Sequence, residues 1–180
     1  MAQGDTQDTA AARLKHLNEF FREHPVTGPA VGHAPSRSAS APLSLGTLSH
    51  VQASVREVIE HTMDVNPDAP MPPARADAVY DWSREHTANA PEAERQRAET
   101  IEYRQYLEHA IRAGDVKVIR PHRCPECRCL GLMWQDDMQR ALCTNSACVD
   151  RGGFSHTFTL SQLATEHIQR QKNVRRARAT

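Results

Sequence analysis

Large apolar residues are scarce in this chain. Leu, Ile, Val and Phe number 31 among 180 residues, about 17%, less than the core of an ordinary globular domain contains. Small packed units joined by loose segments are expected, not one extensive hydrophobic interior. No apolar run reaches the length of a secretory signal or a membrane span, and residues 1–12 carry Asp5 and Asp8 where such a run would lie. A cytoplasmic chain with no membrane partner is the expectation. Catalytic signatures are missing as well: there is no G-x-G-x-x-G, no Walker loop, no G-x-S-x-G and no H-E-x-x-H. A non-enzymatic protein without a small-molecule substrate is therefore expected.

What is present is cysteine in a particular pattern. Cys124-Pro-Glu-Cys127 and Cys143-Thr-Asn-Ser-Ala-Cys148 stand fifteen residues apart. Each pair can wrap one edge of a tetrahedral ion, and the stretch between them is long enough for a small hairpin. In a cytosolic chain, five cysteines read as metal ligands plus one spare thiol, not as disulfides. Cys124, Cys127, Cys143 and Cys148 are accordingly assigned to Zn2+. Catalytic zinc keeps a position open for water, and four closed thiolates leave none, so the site is structural. Cys129, two residues beyond Cys127, could compete for the metal, as could His122 or His156. The other eight histidines read as surface residues, and Asp136-Asp137 reads as a turn.

The pattern of the chain predicts an α+β fold. Residues 1–24 hold an N-terminal helix over 7–24, marked by Leu14, Leu17 and Phe21 at helical spacing with Phe20 beside them. Residues 25–45 form a flexible linker, with Pro25, Pro29, Pro35 and Pro42 among Gly, Ser and Ala. The first helix is therefore a detached motif, either a tethered arm, the favoured reading, or a docking helix. A helical region follows at 46–113: one helix over 47–63 with Thr47 as N-cap, a short one over 74–86, and a long one from Pro91 to Ala113 closed by Gly114. That last helix buries Tyr103, Tyr106, Leu107, Ala110 and Ile111. At Val116 the period changes to two, so a strand over 116–119 leads into the first cysteine pair. Leu130, Leu132 and Trp134 lie on one face of the next strand, and residues 139–143 return. Gly152-Gly153 reverses the chain into a third strand over 154–158. Thr159 and Gln162 then make a capping box that opens a C-terminal helix over 159–180, burying Leu160, Leu163, Ala164 and Ile168.

A strand, a Cys-x2-Cys turn, a hairpin, a second cysteine turn and a strand: over about residues 114–158 this order resembles a zinc ribbon. The resemblance implies a three-stranded antiparallel sheet with Cys124, Cys127, Cys143 and Cys148 as ligands. Arg128 stands where ribbons commonly place Gly, which implies a looser first turn. The helices running into the CPxC motif are similar to those of uncharacterised actinobacterial and actinophage zinc-ribbon proteins. The bias of 19 Arg to three Lys fits a GC-rich bacterial or phage genome.

Zero net charge hides a polarity along the chain. Residues 1–113 carry 11 basic and 16 acidic side chains, and residues 114–180 carry 11 basic and 6 acidic. Arg120, Arg123, Arg128 and Arg140 flank the cysteines, and Arg170, Lys172, Arg175, Arg176 and Arg178 follow Glu166 with no further acid. Trp134 offers a stacking face, or packs on Leu130 and Leu132. These ten residues make DNA or RNA the leading expected partner. The alternative is a protein–protein adaptor that docks a partner through Phe20 and Phe21 of the 7–24 helix, its ribbon purely structural.

Overall fold

The computed structural model describes residues 9–23 and 45–179. The expected linker over 25–44 and the side chains of Phe20 and Phe21 lie outside the described residues. The element order is α1 (Ala10–Glu23), α2 (Leu45–Val65), α3 (Ala78–Thr87), α4 (Glu92–Arg112), a 3-10 turn (Val116–Ile119), β1 (Leu132–Gln135), β2 (Arg140–Cys143), β3 (Thr157–Phe158) and α5 (Leu160–Ala179). The fold is α+β, with a three-stranded antiparallel sheet in the order β1-β2-β3 and a helix after the strands. Among the described residues, no helix is long and apolar enough to cross a membrane.

Helix α4 is the spine, because it presents apolar side chains to two cores. The first joins α1, α2 and α3 through Leu14, Leu17, Val51, Val58, Val79, Tyr80 and Trp82. The second joins Leu107 and Ala110 of α4 to Val118, Ile119, Leu132, Ala141, Phe158 and the cysteines, with Leu163 of α5 above them. Tyr106 packs against both. The ribbon thus shares its interior with α4 and α5. This makes up for the shortage of apolar residues, since neither half has to close a core by itself.

Several local expectations meet their chemistry. Gly114, at φ +84°, ends α4: its amide reaches the Ile111 carbonyl at 2.9 Å, and the Asp115 amide reaches that of Ala110 at 2.9 Å. The capping box at α5 is reciprocal. The Thr159 amide donates to Gln162 Oε1 at 2.8 Å, and the Gln162 amide donates to Thr159 Oγ1 at 3.2 Å.

Four expectations are corrected. α1 is no detached arm: Ala10, Leu14 and Leu17 are buried against the helical core, since an apolar stripe of this kind gains most by covering α4. Thr47 is not an N-cap but a buried residue in the first turn of a helix that begins at Leu45. Residues 116–119 are not a strand. Val118 and Ile119 are both buried, and neighbours in a strand point to opposite faces, so a 3-10 turn is what lets both enter the core. The other eight histidines are not all superficial: His109 is fully buried, and His61 nearly so.

Candidate metal centre

The four cysteines arrive from two knuckles. Cys124 and Cys127 bracket the turn before β1, whereas Cys143 ends β2 and Cys148 closes the turn after it. Their sulfurs all lie within 4.8 Å of one another. Cys124 Sγ is 3.7 Å from Cys148 Sγ, and Cys127 Sγ is 3.7 Å from Cys143 Sγ. Four bonds of about 2.3 Å to a tetrahedral zinc would place the sulfurs about 3.8 Å apart. A disulfide needs about 2.05 Å, and all five cysteines are free thiols. The four sulfurs therefore form a group that fits a metal ion of zinc's size.

No protein-family model matches the chain, and neither a curated protein nor a solved structure matches it.

The knuckles are set by backbone geometry. The Arg128 amide donates to the Cys124 carbonyl at 3.0 Å, and the Cys124 amide donates to the Cys129 carbonyl at 2.9 Å. Arg128 adopts φ +62°, the left-handed conformation that Gly takes without cost. The first turn is as tight as a glycine would make it, which corrects the expectation of a looser one. The second knuckle closes when the Cys148 amide donates to the Asn145 carbonyl at 2.8 Å, with the Ala147 amide on Asn145 Oδ1 at 3.1 Å. Gly131, at φ +126°, joins the two. The Thr144 amide and hydroxyl both donate to its carbonyl, at 3.0 and 2.7 Å, and a Cβ here would lie 2.7 Å from Thr144 Oγ1.

The sulfurs are not electrostatically equal. The Cys129 backbone amide, donating to Cys127, pulls that thiol down to about 6, while burial pushes Cys148 up. Four thiolates this close repel one another, so protons stay on some of them until a cation takes their place. Cys129 itself is exposed, with its sulfur 3.9 Å from Asn145 Nδ2, and stands outside the group. His122 is committed elsewhere: Nδ1–H donates to the Ile119 carbonyl at 3.1 Å, which leaves Nε2 to accept from the Tyr103 hydroxyl at 2.9 Å. His156 also stands outside the group.

The ten basic and aromatic candidates have separate fates. Arg120, Arg140, Arg170 and Arg178 are exposed. Arg123 is exposed and donates to the Arg128 carbonyl at 3.1 Å. Arg128 pairs with Glu166 of α5. Trp134 is half-buried against the lower core, with Nε1 donating to Asp136 Oδ1 at 2.7 Å. Lys172 and Arg176 each lie 3.0 Å from Glu92 Oε1 across the α4–α5 interface, and Lys172 also donates to Gln96 Oε1 at 3.0 Å. Arg175 reaches Gln171 at 3.5 Å. Two of the five basic tail residues thus share one carboxylate at the start of α4, and the rest of the polarity along the sequence stays on the surface.

A buried polar chain in the helical half was missed by sequence reasoning. The Tyr80 hydroxyl donates to Gln105 Oε1 at 2.8 Å and lies 3.1 Å from His109 Nε2. Because Tyr80 has spent its proton, His109 Nε2–H is the donor there, and Nδ1 accepts from His50 Nε2–H at 3.0 Å. Gln105 continues to the Ser54 carbonyl at 3.0 Å and to Glu57 Oε2 at 2.8 Å, and Glu57 also takes Arg104. Burial first, then neighbouring charge, pulls His50 down to about 4 and His109 down to about 3. A faint signal existed, in that His50, Ser54, Glu57 and His61 share one helical face beside Val51 and Val58.

Proposed function

We propose that the chain is a zinc-binding, non-enzymatic nucleic-acid-binding protein in which Cys124, Cys127, Cys143 and Cys148 hold Zn2+ as a structural ribbon. One observation supports a phosphate-contacting role above the others. Arg123, beside the first knuckle, and Arg170, on α5, line a single cleft together with Tyr103, His122 and His167. Arg123 and Arg170, 47 positions apart in sequence, meet at one cleft, where Glu166 also lies but is paired with Arg128; Arg120 is nearby in the chain, and Tyr103 and His167 stack at 3.9 Å. The metal would hold the first knuckle, and through it Arg123, against α5. Thiolate zinc has no vacant position, so its contribution is shape. The resemblance to zinc ribbons agrees with this reading.

The test is electrophoretic mobility shift of the zinc-loaded protein on random duplex and single-stranded probes over a salt series. Replacing Arg123 and Arg170 together by Ala should lower the log–log salt slope by about 0.7–0.9 for each lost phosphate contact. An unchanged slope would remove the cleft from the interface.

The adaptor reading has an observation of its own. Leu130, Met133 and Phe154 of the ribbon are exposed, Phe154 at 74%, and apolar exposure of this sort is what a protein partner covers. Capture of a protein that is lost in a Phe154→Ser variant, with no nucleic-acid shift, would favour it.

A further inference from the structure

The cleft between the first knuckle and α5 has a volume of about 100 Å³. An engineered cavity of about 150 Å³ takes benzene, so this one is too small to enclose a nucleobase. A phosphate group is smaller than that ring and fits. The side chains around the cleft hold one another in place. Tyr103 of α4 stacks on His167 of α5 at 3.9 Å and donates its hydroxyl to His122 Nε2 at 2.9 Å, and the two imidazoles lie 5.6 Å apart. An ion that enters meets walls already ordered by packing, so little further conformational entropy is lost on binding.

The charges around the cleft are unbalanced. Arg123 and Arg170 both line it, and the one carboxylate there, Glu166, is paired with Arg128. Three cations thus stand against one acid. Arg123 is anchored by a hydrogen bond from one guanidinium nitrogen to the Arg128 carbonyl at 3.1 Å, which leaves its other N–H groups to donate. Arg170 is exposed, and among the described residues it has no hydrogen bond or ion pair. Its charge reaches both imidazoles. Burial first, with Arg170 a lesser cause, holds His122 below the ordinary range and His167 at about 4. The rings are therefore neutral near pH 7, and the guanidinium beside them has no acid of its own. Paired guanidinium donors at a small cleft are suited to phosphate oxygens, because arginine is weakly hydrated and its fork matches two of them. A phosphomonoester carries about two negative charges at neutral pH. A phosphodiester within a strand carries one and has chain on both sides of it.

We propose that this cleft is a binding site for one phosphomonoester group. For its source the inference rests on the nucleic-acid reading, which makes the group the terminal phosphate of a strand; a free phosphomonoester is the other source. The full-length, zinc-loaded chain can be titrated at constant ionic strength with methyl phosphate, and with dimethyl phosphate as the singly charged diester. Ring NMR signals of His122 and His167 report binding. Methyl phosphate should shift both saturably, and dimethyl phosphate should bind about tenfold more weakly, what one charge-assisted hydrogen bond contributes. An oligonucleotide with a terminal phosphate should likewise bind about tenfold more tightly than the same strand ending in a hydroxyl. Arg170→Gln should abolish both preferences and leave zinc content and thermal midpoint unchanged. Arg151→Gln, which removes an equal exposed charge from another loop of the ribbon, should keep them. Equal binding of the two esters would overturn the site, as would a preference that survives Arg170→Gln or is lost equally in Arg151→Gln. A chain that tells the esters apart but shifts no oligonucleotide keeps the site, with a free phosphomonoester as its ligand, and loses the nucleic-acid reading. One that binds both strands with a salt slope but does not tell the esters apart keeps that reading and loses the site.

Discussion

His50 Nε2 lies 3.0 Å from His109 Nδ1, across the α2–α4 interface. His109 must be neutral for its Nδ1 to accept, and both rings are held below the ordinary histidine range, His50 at about 4 and His109 at about 3. A folded-state value below the unfolded one means the unfolded chain takes up protons first. The stabilisation is complete above the unfolded value of about 6.5 and is lost as pH falls from there toward the folded values. From pH 7.5 to 5.5 these two rings should contribute a loss of about 2 kcal/mol, after a discount for the half-exposed His50, and His167 and His122, also lowered by burial, add to it. Urea unfolding at both pH values, with zinc content checked at each, should show that loss. The double variant His50→Gln, His109→Gln should show a flatter dependence. An equal dependence in the variant would assign the effect elsewhere.

The metal group leads to a stoichiometric expectation. Purified protein should carry one zinc per chain, and cobalt in its place should give the visible spectrum of a tetrahedral four-thiolate site. Cys124→Ser and Cys148→Ser should lose the ion, whereas Cys129→Ser should retain it, since its exposed sulfur stands outside the group. Full metal content in Cys148→Ser would defeat the four-cysteine assignment. Because Leu107 and Leu163 pack on the same core as the cysteines, chelation should also raise hydrogen exchange at the C-terminal end of α4 and the start of α5. Structural zinc of this kind contributes on the order of 10 kcal/mol.

Glu92 sets how much of the basic tail is free. It sits between Lys172 and Arg176, and the hydrogen bond from Lys172 holds its carboxyl below the usual range. Glu92→Gln should therefore remove the carboxylate that both cations share. If the α5 surface meets nucleic acid, affinity at low salt should rise and the salt slope should steepen by up to about 0.7–0.9 per freed charge. Thermal stability should fall only slightly, because Glu92 is exposed and the mostly covered Lys172 keeps its hydrogen bond to Gln96. A slope identical to wild type would separate α5 from any phosphate contact.

Gly131 tests the joint between the knuckles. Its φ of +126° is one that side chains resist, and the added methyl of Gly131→Ala would meet Thr144 Oγ1 at 2.7 Å. The substitution should cost about 2 kcal/mol or more through strain and through the loss of the Thr144 hydrogen bonds. Denaturant unfolding of the zinc-loaded variant would measure it. Thr144→Ala in the same chain should relieve the clash but not the backbone strain, so the rescue should be partial.

The sequence by itself determined what depends on neighbours a few residues apart. The four clustered cysteines, the Gly114 stop, the Thr159–Gln162 capping box and the apolar stripes of α4 and α5 were all legible there, because a turn or a helical face is specified by residues within one or two turns of each other. The same locality misled where a short pattern had two readings. Val116, Lys117, Val118 and Ile119 alternate like a strand, but burial of two adjacent side chains required a turn. Arg128 argued for a loose knuckle, but the surrounding hydrogen bonds held it in a glycine-like conformation. Only the tertiary structure decided the rest. Tyr80, Gln105, His109 and His50 come from three helices, and none carries a local mark of being polar inside a core. Glu92 stands 80 residues before Lys172, so part of the charge separation seen along the chain ends as an intramolecular pair. A cavity of about 290 Å³ beside Val58, Tyr80, Thr87 and Ile101 exists because α2, α3 and α4 fail to close on one another, a property of packing that no segment holds alone.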